Sequence, residues 1–118
     1  MNDYTHSILS ENYHEIAEIA ALAGVNWHAA QHEIVFNDAR INPPSIALDK
    51  NYRGKSAVWA KKITDKQGNL FPFVRFHTFK TGGNIEFFDG KAAFYHAKER
   101  GRIFKTSTPE QIAIQDAR

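Results

Sequence analysis

The apolar positions of this chain change their period near its middle. In residues 10–24, SENYHEIAEIAALAG, the residues Ile16, Ile19, Ala20, Leu22 and Ala23 recur at helical spacing. Ser10 can cap such a helix, Glu11 suits its positive N-terminal end, and Gly24 can terminate it. Residues 27–36 predict a second helix, with Asn26 as its cap and Trp27, Ile34 and Val35 as buried anchors. Pro43-Pro44 then ends the helical region and opens an extended connector.

From Ser56 the spacing suits strands. Residues 56–64 (SAVWAKKIT) predict one strand, 65–69 (DKQGN) a turn, and 70–80 (LFPFVRFHTFK) a second strand. Residues 81–83 (TGG) make another turn before a short third strand in 84–90 (NIEFFDG). Asp89 can cap a helix over 91–100 that Gly101 would end, and Thr108-Pro109-Glu110-Gln111 has capping-box spacing. That last helix has barely begun at Arg118, as expected of a domain cut from a longer protein. The fold class expected is α+β, a three-stranded antiparallel meander packed with two N-terminal helices and one or two C-terminal helices. We expect a single domain over 1–118: an acidic helical hairpin in 1–40, a basic meander plus helix in 50–105, and the start of a linker helix in 108–118.

Charge sharpens this division. Residues 1–49 hold seven acids and one base, or −6, whereas residues 50–105 hold thirteen bases and four acids, or +9. The tail contributes −1, and the three sum to the net charge of +2. A basic segment of this kind points to a polyanionic partner, unless the acidic hairpin packs on it and neutralises it. No run approaches the ~20 apolar residues of a membrane span, and the first ten residues lack the basic start and apolar middle of a signal peptide. The absence of cysteine removes thiolate metal sites and cysteine nucleophiles and fits a reducing compartment, so a cytoplasmic protein is expected.

The second strand carries the most informative chemistry. Its alternation puts Phe73, Arg75, His77 and Phe79 on one face, and Lys80 follows. Cations can meet phosphates while rings stack on bases, each stack contributing about 1–3 kcal/mol. Trp59, Lys61 and Lys62 on the preceding strand are expected to join this surface, as are Arg53 and Lys55 from the loop DKNYRGKS. The competing arrangement buries the same rings beneath the N-terminal helices, leaving the sheet covered on both sides.

Two other constellations carry less. The pair of helices around AGVN has the outline of a helix-turn-helix, but its second helix offers His28, Gln31, His32 and Glu33 without an Arg or Lys, and phosphate would repel its acidic surroundings. His28 and His32 have zinc-ligand spacing, with His14, Glu18 or Glu33 as a possible third ligand, yet there is no His-Glu-x-x-His motif. No Ser/His/Asp arrangement or flanking carboxylate pair stands out. A non-enzymatic segment with no metal and no cofactor is therefore expected.

From about residue 36 onward, the chain resembles the N-terminal region of phage- and plasmid-encoded primase-helicases, including Toprim-type primases of mobile elements. The residues that carry the resemblance are NDARINPPSIALDKNYRG, then DKQGN, FHTFKTGGNIEFFDG and STPEQIAIQDAR. Within them Pro43, Pro44, Ile46, Asp49, Lys50 and Arg53 match one motif, and Gly68, Lys80, Thr81, Gly82 and Phe88 the next. Tyr52 stands where those proteins usually carry a His, and the acidic helical N-terminus is this chain's own. The resemblance implies a non-catalytic leader domain of a replication protein that contacts DNA, single-stranded or at a template or origin, alongside other replication proteins. A protein–protein docking domain without nucleic-acid contact is the alternative.

Overall fold

The computed structural model describes residues 2–79, 85–99 and 101. A four-stranded antiparallel sheet in the order β1-β2-β3-β4 forms its centre, from β1 (Arg40–Ile41), β2 (Ser56–Thr64), β3 (Leu70–Thr78) and β4 (Ile85–Asp89). The α+β class and the meander are as expected. The sheet gains one strand, because the two residues of β1 pair with Trp59 and Val58 at the edge of β2. Such a short edge leaves almost no periodic pattern in a sequence.

The helices are α1 (Thr5–Glu11), α2 (Tyr13–Leu22), α3 (Trp27–Ala30) and α4 (Gly90–Glu99). Ser10 lies inside α1 rather than capping a helix. The break falls at Asn12, whose side-chain amide donates to the Ile8 carbonyl at 2.9 Å beside its own backbone amide at 3.1 Å, a local side-chain contact that competes with regular helix. The first helix therefore begins earlier than the apolar spacing suggests, after Asp3, whose Oδ1 accepts from the Thr5 amide at 2.9 Å. Asn26 caps α3 as expected, accepting from the Ala29 amide, but the helix lasts four residues instead of ten. Tertiary structure takes the chain elsewhere: by Asp38 its amide donates to the Ala60 carbonyl at 2.8 Å, delivering the backbone to the sheet edge.

One face of the sheet makes the core. Val58, Ala60, Val74, Phe76 and Phe88 alternate onto it and pack against Ile8, Ile16, Ala20, Trp27, Ile34 and Ile46. Two buried hydroxyls fix the depth of this packing. Thr78 Oγ1 donates to the Ala23 carbonyl at 2.6 Å, and Ser56 Oγ donates to the Gly24 carbonyl at 3.1 Å. Ser56 and Thr78 are themselves cross-strand partners, their hydroxyl oxygens 3.0 Å apart. Thr78 thus supplies a donor to the Ala23 carbonyl at the end of α2, and Ser56 adds a second donor to the Gly24 carbonyl beside the Leu48 amide.

Gly24 permits that approach. At φ +77° it closes α2 in a Schellman turn, with the Val25 amide bonded to Ala20 and the Gly24 amide to Ala21. A Cβ here would collide with Thr78 Oγ1. Gly24→Ala is expected to cost at least about 1–3 kcal/mol from the left-handed backbone and the clash together, read as a lower urea midpoint with unchanged slope.

The turn between β2 and β3 is organised by Asp65. Its Oδ1 accepts from the Gln67 and Asn69 amides, both at 2.9 Å, and its Oδ2 accepts from Asn69 Nδ2 at 3.0 Å and the Tyr95 hydroxyl at 2.8 Å. Burial alone would raise this carboxyl, but the hydrogen bonds from Tyr95, Asn69 and Gln67 outweigh it and hold it at about 2. The stabilisation is complete above the ordinary value of 3.8 and is lost as pH falls toward about 2. Tyr95→Phe should move the Asp65 titration midpoint upward, toward 3.8, in a carboxyl NMR titration, and shift the acid loss of stability to higher pH. Among the described residues no helix is long and apolar enough to cross a membrane.

Candidate nucleic-acid interface

The second face of the sheet is set by pairing. Across the strands Arg40 lies opposite Trp59, Trp59 opposite Arg75, and Arg75 opposite Phe87, so one transverse row reads cation, ring, cation, ring. Along β3 the same face reads Phe73, Arg75 and His77, and Phe79 follows just past the strand. A neighbouring row runs from Lys61 to Phe73 to Asp89. Rings and cations thus alternate along the first row, and the neighbouring row ends in the acid Asp89.

Contacts within the face hold the cations in place. The Arg75 guanidinium lies 4.7 Å from the Trp59 ring, Arg40 lies 5.1 Å from Phe79, and Lys61 Nζ lies 5.5 Å from Phe73. Each such contact contributes about 0.5–1 kcal/mol at an exposed site. Phe79 also meets His77 edge-on at 4.7 Å, and Phe73 stacks on Phe87 at 5.6 Å with the planes 14° apart. Arg75 and Lys61 are exposed, Phe79 is 39% exposed and Phe87 57%, while Trp59, Phe73 and His77 are half-buried. Burial of Arg75 and Phe79 beneath the N-terminal helices is thereby overturned, because those helices occupy the opposite face. The uncovered region begins at Phe73. Phe71 belongs to the same alternation but is fully buried against Tyr4, Phe94 and Tyr95.

Lys62 requires a correction. It points to the core side, where its Nζ bonds Asp3 Oδ2 at 3.0 Å and lies 5.7 Å from the Phe36 ring. The period of two makes this unavoidable once Lys61 faces outward. Lys55 and Arg53 are exposed, and the Phe79 amide donates to the Lys55 carbonyl at 2.7 Å, which brings Lys55 beside the ring cluster. Arg53 instead lines an open pocket of about 320 Å³ with Lys50, Leu48 and Pro44. Lys80 and the turn at 81–83, like the capping-box helix from Thr108, lie outside the described residues.

The sequence alone did not reveal three members of this face. Arg40 belongs to a two-residue strand, and Ile85 and Phe87 belong to a segment with a Phe and an acid on each alternation. Only the pairing of β4 with β3 separates outward Phe87 from buried Phe88.

The remaining constellations are now placed. α3 is too short to lie along a groove, and Trp27 and Ala30 commit it to the core. His28 Nδ1 is 3.1 Å from the Tyr13 hydroxyl, and its ring meets His32 edge-on at 5.9 Å. No group of three His, Cys, Asp or Glu residues suited to a metal occurs among the described residues. Comparison with family models, curated proteins and solved structures gave no match.

Lys62→Ala separates the two faces experimentally. Removing it leaves a buried Asp3 carboxylate without its cation, with an expected stability loss of about 1–3 kcal/mol. Oligonucleotide affinity, measured by fluorescence anisotropy on the folded variant, should stay at the wild-type value.

Proposed function

We propose that this chain is a non-catalytic DNA-binding module of a mobile-element replication protein, of primase-helicase or initiator type, and that it holds DNA on the outer sheet face. The observation that carries this function is the outward surface itself, where Arg40, Arg75 and Lys61 share one plane with Trp59, Phe73, Phe79 and Phe87. Phosphates favour the cations through Coulomb attraction and counterion release, and bases favour flat apolar rings. The acids Glu15 and Glu18 sit exposed on α2, on the other side of the sheet. The acid on this face, Asp89 opposite Phe73, is outnumbered by Arg40, Arg75 and Lys61 and engaged by the Ala92 amide. The replication context is supported by the resemblance carried by residues 36–118 and implies a cytoplasmic module working beside other replication proteins.

One observation favours a second function. Ile85 is 62% exposed and Phe87 57% exposed, and both lie on the outermost strand β4. An apolar edge of this kind suits a protein partner. Salt distinguishes the two, since phosphate contacts give a steep salt dependence and an apolar protein contact does not.

On the DNA-binding function, Arg75→Ala should weaken oligonucleotide binding and reduce the slope of log affinity against log salt by about 1. His28→Ala, on the acidic side, should change neither. Affinity at background for every probe at low salt would rule the function out.

A further inference from the structure

We infer that the face is built for single-stranded rather than duplex DNA, with Phe87 as a base-stacking position and Arg75 as the neighbouring phosphate contact. This preference rests on the DNA-binding function proposed above and names its substrate class. A ring can stack only on the flat face of a base. In a duplex those faces are covered by neighbouring base pairs, whereas a single strand can turn them outward. A surface made only for the phosphates of a duplex needs cations and gains nothing from exposed rings.

The arrangement of the rings supports the choice. Phe87 has one face against Phe73, 5.6 Å away and nearly parallel, and is still 57% exposed. Phe73 therefore holds the ring flat without hiding it. Arg75, directly across the strand pair from Phe87, is held by the Trp59 ring at 4.7 Å. Trp59 thus acts beneath the cation and not as a bare platform. A ring and a cation stand side by side in this row, and Arg40 and Trp59 continue the alternation toward β1. A single strand carries the complementary alternation of flat base and anionic phosphate.

The form of the surface weighs against duplex. Reading a major groove takes a protruding helix or ribbon. Here the uncovered part of the face is the sheet itself, and the helix of the would-be helix-turn-helix, α3, is packed into the core on the other side.

The test is fluorescence anisotropy at low salt, using a labelled dT oligonucleotide of about a dozen nucleotides and a hairpin duplex with the same number of phosphates. The single strand should bind about tenfold tighter or more. Phe87→Ala should weaken single-strand binding roughly 5- to 150-fold, the contribution of one stacked base, without changing duplex affinity or the salt slope. Phe87→Tyr, which keeps the ring, should restore it. Duplex binding as tight as single-strand binding, or no selective loss in Phe87→Ala, overturns the preference while leaving DNA binding intact. Failure of both probes to bind overturns the preference and the proposed function together.

Discussion

The hydroxyls of Ser56 and Thr78 decide which side of the sheet is free. By donating to the Gly24 and Ala23 carbonyls they attach the end of α2 to the first residue of β2 and the last of β3. Both groups are buried, so leaving either without a partner would cost about 1–3 kcal/mol. Together with the Schellman turn at Gly24, this fixes α2 and α3 against Val58, Val74 and Phe76. A one-residue slip of either strand would carry these hydroxyls to the opposite face and expose the whole core set. The open face is thus the consequence of a polar contact on the closed one.

Charge is sorted by the same geometry. The exposed acids of α2 follow that helix to the core side, and Lys62 is drawn to Asp3 there. Arg40, Lys61 and Arg75 remain on the other face, each beside a ring. Cation–π contact at an exposed site is weak, but it confines long side chains that would otherwise sample many rotamers. Three confined cations present a more ordered field than three free ones, with less entropy to lose on meeting an anionic chain.

Much of this was legible in the residues. The strand at 56–64 and the helix after Asp89 stand where their periodicity and capping chemistry put them, and Asp89 Oδ1 does accept from the Ala92 amide at 3.1 Å. The placement of Phe73, Arg75 and His77 on one face was legible for the same reason, since Arg75 and His77 share one alternation while Val74 and Phe76 fill the other. The sequence was silent where local signals were weak or overridden. Asn12 breaks a helix that apolar spacing alone would continue, and α3 stops early because the chain must reach Ala60. Ile85 and Phe87 could not be assigned to a face without knowing which residues of β3 they oppose.

Solubility alone would account for the cations, because charges placed between rings keep an exposed sheet from pairing with its neighbours. It does not account for the rings. A face needing only protection from aggregation is satisfied by Thr, Lys or Glu at the positions of Phe79, Ile85 and Phe87, with no loss of core burial. Strand propensity favours aromatic and branched residues, but over a span of only about 1 kcal/mol, and least clearly on an edge strand such as β4. Exposed rings raise the aggregation hazard that the cations then offset. Keeping both on one surface makes physical sense where a partner supplies flat apolar groups and negative charge together.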